Sequence, residues 1–594
     1  MFQQDLQPVG DSLALSALCA ALPLLTLFVL LGGLRLQAWL AGLISLGVAL
    51  VIGVALFGMP VGQAALAAFD GAAFGFFPIL WIVINAIWVY NLTVASGHFD
   101  VLRRSFEKVS PDQRIQAIII AFCFGALLEA LAGFGTPVAI TVVMLMALGF
   151  RPIKAAAVAL IANTAPVAFG ALATPIVTLA SVTSAVSDDP RLTVDGLGGM
   201  VGRQTPILAV IVPLILVLVV DGRRGLKATW LPALVCGGAF AVAQFVAANY
   251  ISVPLADIVA ALVGAAAVVL LLRVWTPADV LTAEQAAAED DEVEDARATS
   301  TRRGPNGLST TVTASTGRGA PAGGGATSGP GGTSPGSRAG EAPRDSGADV
   351  AKAYAPYLVI IAIFSIVSIP AVVDALAEEP FTYSFAWPGL DITNPAGDPV
   401  ATLFKLNWLP AAGTLMILAG VITAAILKVS PGEAARTYVK TYVELRSAIV
   451  TVMAVLGLAY VMNLSGQTTS LGAWLAGAGG AFVLLSPILG WIGVAVTGSD
   501  TSANALFGAL QVQTAREAGL DPLLMAAANT SGGVLGKMVS PQNLAIAAAA
   551  VGMAGREGDI FRKVIGWSLG LLLLVCVIVG LQSTPVLGWM VPTS

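Results

Sequence analysis

Ala162-Asn163-Thr164 is followed by Gly170 and then Thr174-Pro175, and Ala528-Asn529-Thr530 is followed at the same spacing by Gly536 and then Ser540-Pro541. About thirty residues before each copy stands a Gly-x-x-Thr, Gly133/Thr136 and Gly498/Thr501. Four polar clusters result, in the same order in each half: Glu129 through Pro137, Asn163 through Pro166, Gly498 through Asn504, and Asn529 through Gly533. Glycine and proline open a helix and free its backbone groups, while Ser, Thr and Asn supply donors and acceptors. Half-helix N-termini then present unpaired N–H groups with partial positive charge, a site for an anion such as a carboxylate. The reading offers Gly133, Gly135, Thr136, Asn163, Thr164, Ser499, Thr501, Ser502, Asn529 and Thr530 as substrate-binding residues. Small residues also let helices pack closely in membranes, but four clusters in repeated order point to a site.

Charged residues among these clusters add chemistry. Glu129 lies in the apolar run 115–148, where an ionisable group is costly and usually faces a cavity. It is a proton carrier, or else a structural carboxylate paired with a distant Arg or hydrogen-bonded to the adjoining tip. Asp500 precedes Thr501 and Ser502 at a helix start, where it is a proton or coupling-ion site or an N-cap. Lys537 stands in the second repeat where Ala171 stands in the first, and is placed to neutralise a substrate carboxylate unless it snorkels to the surface. Its surroundings, Gly532 to Met538, are superficially like a phosphate-binding loop. Ser531 replaces the first glycine, Met538 replaces the required Ser/Thr, and no strand precedes it, so the match fails. Arg203 reads as an interfacial anchor.

The elements that must position these residues are membrane helices. The chain has 594 residues, 57% hydrophobic and 11% charged, where soluble proteins carry about 25% charged residues. Apolar runs near the roughly 20 residues that cross a bilayer recur at 13–33, 38–57, 77–95, 206–220, 231–248, 258–272, 357–373, 409–427 and 565–580. In lipid their backbone groups have no water partner, which requires helices. The expected fold class is an all-α polytopic membrane protein of about 12 transmembrane helices, in two repeated halves with interrupted helices and re-entrant hairpin tips. Met1–Ser12 holds acidic residues and no basic one, unlike a cleaved signal. Cys19, Cys123, Cys236 and Cys576 lie far apart in apolar stretches and read as core residues, and His98 is the single histidine. No metal, no cofactor and no nucleic-acid partner is implied; the partners are a small carboxylate, a proton and bilayer lipid.

Residues 1–275 form the first membrane half, with its repeat core at about 115–220; residues 353–594 form the second, with its core at about 447–583. Between them, 276–352 holds an acidic cluster and a Gly/Ser/Thr/Pro-rich tract. Such composition buries too little apolar surface to fold, so a disordered cytoplasmic linker is expected, or a regulatory or partner-binding segment. Basic residues cluster at 98–114, 221–229, 428–446 and 555–563, which places these segments in the cytoplasm. The acidic stretch 374–398 lies outside, as do both termini.

At Phe122–Glu129, Ala132–Gly135, Pro137–Ile140, Asn163–Gly170, Val201–Gln204, Gly498–Ser502, Asn504–Phe507, Asn529–Thr530, Gly536–Met538 and Ser540–Gln542, the sequence resembles the L-lactate permease family of bacterial and archaeal 2-hydroxy-monocarboxylate transporters. Weaker similarity extends over both halves and omits the linker. The resemblance implies proton-coupled uptake of L-lactate, glycolate or D-lactate across the plasma membrane. It also implies an inverted two-repeat fold of the ion-transporter superfamily. Thr136 departs from the alanine often found in relatives. The expected function is therefore secondary active transport, not enzymatic. Glu129 or Asp500 takes the proton, Lys537 supplies charge to the carboxylate, and Ser499, Thr501 or Ser502 meets the 2-hydroxyl. The alternative is a sodium-coupled mono- or dicarboxylate transporter. An intramembrane enzyme lacks paired histidines, a channel does not fit the paired broken helices, and an ATP-driven pump lacks a nucleotide motif.

Overall fold

The computed structural model describes residues 2–34, 36–133, 135–282, 285, 346–397, 399, 400, 402–554 and 556–593. Most of the expected linker lies outside these residues, but its two ends lie within them. Asp279 accepts hydrogen bonds from Arg224 Nε at 3.1 Å and Nη2 at 2.7 Å, and the Leu281 carbonyl accepts from Gln113 N at 3.0 Å. At the other end Ser346 and Asp349 form a capping box, so the helix Gly347–Val367 begins inside the expected linker, six residues before the boundary at 353.

Among the described residues ten helices are long and apolar enough to cross a membrane, and four shorter apolar helices accompany them. The long Val194–Ile251 run bends at Asp221 and Gly222, which makes it two crossings. The acidic stretch 374–398 departs from an all-helical reading. Tyr383–Ala386 pairs antiparallel with Leu403–Leu406, and Phe2–Gln3 pairs parallel with Ile392–Thr393.

Leu13–Phe28, Ala38–Ala55, Val61–Phe74 and Pro431–Leu464 share one hydrophobic cluster. The hairpins and broken helices belong mainly to another. The first hairpin rises through the π-helical Ala117–Phe124 and the helix Gly125–Ala132, then returns as Thr136–Ala147. Gln113 Nε2 donates to the Leu148 carbonyl at 3.0 Å, so the hairpin enters and leaves by one face. Arg114 marks that face, paired with Asp112 at 2.7 Å and Asp221 at 2.9 Å. The second hairpin, Phe482–Thr497 and Asp500–Glu517, is closed by Gln511 Nε2 donating to the Ser486 carbonyl at 3.1 Å. The loop that follows ends at Asp521, which pairs with Arg191 at 2.9 Å.

These two faces are opposite. The helical stretch from Thr205 to Val220 rises about 24 Å at ~1.5 Å per residue. It runs from the face where Arg203 and Arg191 donate to the Met590 and Pro592 carbonyls to the face where Asp221 meets Arg114. The repeats are therefore inverted: one hairpin enters from the Arg114 face, the other from the Arg191 face. The sequence reading expects the Arg114 face, with its Arg and Lys residues, to be cytoplasmic. On the Arg191 face the Arg191 guanidinium holds the Asp189 carboxyl below the usual carboxylate range.

The two broken helices differ. The first stops after Pro152–Ala162, passes Gly170, Leu172 and Ala173 at φ of 51°, 48° and 60°, and resumes as Thr174–Ser184. The second runs unbroken as Pro522–Gly536 through Asn529 and Thr530, gives way to one 3-10 turn at Lys537–Val539, and resumes as Pro541–Ala550 under the Ser540 cap. Asn529-Thr530 is therefore not an unwound segment, contrary to the sequence expectation. Pro166 in the first repeat is matched by Gly532 in the second. Proline lacks the N–H and its ring collides with the carbonyl four residues back, whereas glycine only weakens helix propensity.

Candidate functional site

Each hairpin tip turns on a left-handed glycine, Gly135 at φ 87° and Gly498 at φ 77°, a conformation that costs glycine little. Each tip opens a helix: Gly135 precedes Thr136, and Ser499 caps its helix by accepting from Ser502 N at 3.3 Å. The second pieces of the broken helices begin at Thr174 and Pro541, each with proline in the first turn. Four helix N-termini thus collect inside the molecule. Each half leans on the other: Thr174–Ser184 packs against Asp500–Glu517, and Pro541–Ala550 packs against Thr136–Ala147.

A cavity of about 40 Å³ opens among these ends, room for more than one water molecule. Glu129, Gly133, Ser499, Asp500, Thr501 and Lys537, all among the candidates offered from the sequence, line it. Lys537 Nζ lies 2.6 Å from Glu129 Oε1, and Asn163 Nδ2 donates to Glu129 Oε2 at 2.9 Å. Lys537 and Glu129 are 6% and 3% exposed, so neither snorkels to the surface and the partner of Glu129 is a lysine, not an arginine. Asp500 does not act as the N-cap, a role taken by Ser499. Its Oδ1 is buried without a hydrogen-bond partner, while Oδ2 is 3.5 Å from Asn504 Nδ2.

Other expected ligands are placed differently. Asn163 caps the C-terminal end of Pro152–Ala162, where the helix dipole is negative and disfavours a carboxylate. Its contribution is the bond to Glu129. Thr164 Oγ1 donates to the Ile161 carbonyl at 2.7 Å. Asn529 Nδ2 and Thr530 Oγ1 both donate to Asn504 Oδ1, at 2.8 and 2.9 Å, and Asn529 Oδ1 accepts from Gln511 Nε2 at 3.0 Å. That network fastens the second hairpin to the second broken helix and leaves those two side chains off the cavity wall. Gly135 and Thr136 shape the first tip, with Gly135 against Ile546, and Ser502 serves through its capped N–H. Arg203 donates from Nε to Asn249 Oδ1 at 3.1 Å, in agreement with an anchoring role.

The wall also includes Gly170, Ala171, Thr174, Pro175 and Gln542, which the sequence reading did not offer as ligands. Thr174-Pro175 was visible as the end of the repeated pattern, and Gln542 directly follows its counterpart Ser540-Pro541. Proline in the first turn of a resumed helix marks the N-terminus more directly than the Asn-Thr upstream.

A family model described as L-lactate permease matches residues 16–586. The chain belongs to the L-lactate permease family. It is 40% identical to the L-lactate permease of Bacillus subtilis (strain 168) over 99% of both chains, and 38% identical to the L-lactate permease of Escherichia coli (strain K12) over 100% of both. The glycolate permease GlcA of Escherichia coli (strain K12) is 40% identical over 99% of both. Among solved structures the Alcanivorax borkumensis YdaH transporter matches at TM-score 0.41 and 13% identity over 86% of both chains, too distant to bear on the fold. This permease-family chain is a multi-pass protein of the cell membrane and a transporter.

Proposed function

We propose that this permease takes up L-lactate and related 2-hydroxy-monocarboxylates, glycolate and D-lactate among them, together with a proton by alternating access. The observation that carries the reading is the buried Lys537–Glu129 pair on the cavity wall, 2.6 Å apart. A buried lysine needs a counter-charge. While Glu129 is ionised it fills that role, and an incoming carboxylate finds Lys537 occupied. Protonation of Glu129 removes its charge and frees Lys537 for the substrate carboxylate. One proton then accompanies one monoanion, and the buried charge stays balanced in the empty and loaded states.

The remaining wall fits the rest of the substrate. The N-terminus that opens at Asp500 and the one at Thr174 offer N–H groups to the carboxylate, with Gly133 letting backbone approach. Asp500 Oδ1, an acceptor without a partner, suits the 2-hydroxyl O–H, and Ser499 and Thr501 flank it. Asn163 positions Glu129. The inverted hairpins close the cavity from opposite faces, so alternate opening would expose one site to each side in turn.

The test is labelled L-lactate uptake into proteoliposomes under an imposed pH gradient, with and without sodium. Accumulation driven by the gradient in sodium-free buffer is expected. Accumulation only with sodium would replace the proton by sodium. Uptake of another carboxylate and no lactate would overturn the substrate.

A further inference from the structure

Near the Arg191 face a second hollow opens, sharing no residue with the transport cavity. It measures about 520 Å³ and lies between the two arms of the bent helix Thr205–Val246. Ile207 and Val210 wall it on one arm, Val242 and Phe245 on the other. Val242 is 64% exposed, so this wall stands open to the hydrocarbon of the bilayer. Tyr250 and Trp589 form the rim, 73% and 76% exposed. Aromatic residues of this kind gather at the level of the lipid headgroups.

Arg203 closes the same end of the groove. Its Nε donates to Asn249 Oδ1 at 3.1 Å and its Nη1 to the Met590 carbonyl at 2.7 Å. Both acceptors are neutral, and among the described residues no carboxylate pairs with it. Arg191 on the same face is held by Asp189 at 2.7 Å and Asp521 at 2.9 Å. A half-buried guanidinium at a membrane surface without a counter-charge is costly. The helix that begins at Thr205 has no side-chain cap, and its N-terminus adds partial positive charge beside Arg203. Among the described residues neither the Trp589 indole N–H nor the Tyr250 hydroxyl has a hydrogen-bond partner. A guanidinium and two neutral donors thus edge an apolar groove and lack an anion.

We propose that this groove holds a membrane glycerophospholipid. Its phosphate meets Arg203 Nη2 between Trp589 and Tyr250, and one acyl chain lies along Ile207, Val210, Val242 and Phe245. Phosphate suits a guanidinium through charge-assisted hydrogen bonds, and basic pockets between membrane helices bind lipid headgroups in this way. A small carboxylate would satisfy Arg203 but leave the apolar walls empty. A second copy seated across the groove by two-fold symmetry would bring the two Arg203 side chains together, which like charge disfavours.

Native mass spectra of the whole protein, purified in mild detergent, test the assignment. The wild type should carry a phospholipid, and Arg203→Gln should lower that retention about fivefold or more. Arg203→Lys keeps the positive charge and should keep the lipid. Val242→Trp fills an exposed wall, leaves Arg203 in place, and should expel the lipid from a protein that still folds. After delipidation, added phosphatidylglycerol should raise the melting temperature of the wild type and leave that of Arg203→Gln unmoved. Equal retention by wild type, Arg203→Gln and Val242→Trp would overturn the proposal. Loss in Val242→Trp alone would put a chain in the groove without the phosphate contact, and would overturn it too. A lipid-free dimer that Val242→Trp dissociates would make the occupant a second copy, with the same result.

Discussion

Lys537 and Glu129 are each expensive in a membrane interior alone and tolerable together. Removing one partner of a buried ion pair costs roughly 3–5 kcal/mol, because the other charge is left uncompensated. Lys537→Ala should therefore lower lactate uptake by on the order of a hundredfold or more, and lower thermal stability as well. Glu129→Gln imitates the protonated carboxyl and keeps a polar partner near the lysine. It should bind and exchange lactate yet fail to accumulate it against a gradient. The double variant separates the two roles of the lysine. With Glu129 already neutral, Lys537→Ala should recover stability in a melting assay and still transport nothing. Recovery of uptake in that double variant would mean that the lysine serves only to balance Glu129.

At the scale of elements the same pattern in two halves has two structural outcomes. The hairpins, their glycine tips and the charged residues of the wall follow from residue type and order: Gly135 and Gly498 turn the tips, and Glu129, Asp500 and Lys537 reach the cavity. Inversion was implied only by the family resemblance, and the pairing of Lys537 with Glu129 was not foreseen. The location of the second break did not follow, because Gly532 and Gly533 were read as helix openers. A Cβ on Gly532 would run into the Pro487 carbonyl, and one on Gly490 into the Asn529 carbonyl. These glycines bring two helix backbones into contact, a use familiar in membranes. The partners of Asn504, and the groove beside Arg203, depend on contacts between distant segments that spacing cannot reveal. The two roles for glycine give opposite results on substitution. If Gly532 loosened the helix, Gly532→Ala would stabilise it; as a packing contact it should destabilise by roughly 1–3 kcal/mol through overpacking, read as a lower melting temperature in detergent. The first break is held differently. Leu172 and Ala173 adopt left-handed φ, at a cost of about 1–2 kcal/mol per residue, and they border the cavity residues Ala171 and Thr174. Strain of that kind gathers where a site must be kept in one shape.

Across the whole molecule, inversion is what lets one small cavity serve both sides. The hairpin that ends at Ala147 is fastened to the Arg114 face through Leu148, and the hairpin that ends at Glu517 leads to Asp521 on the Arg191 face. Both end residues are exposed. In a background with Cys19 replaced by serine, Glu517→Cys should react with a membrane-impermeant maleimide added to intact cells. Ala147→Cys should react only in inside-out vesicles or after permeabilisation. Labelling of both from one side would refute the inverted arrangement, and with it the idea that each hairpin guards its own face. Saturating lactate adds a further reading. If the hairpins move against the helices of the Leu13–Phe28 and Pro431–Leu464 cluster, substrate should change the rates of the two labels in opposite directions, since closing one face opens the other. Equal slowing of both would mean that substrate tightens the whole molecule without shifting it between states.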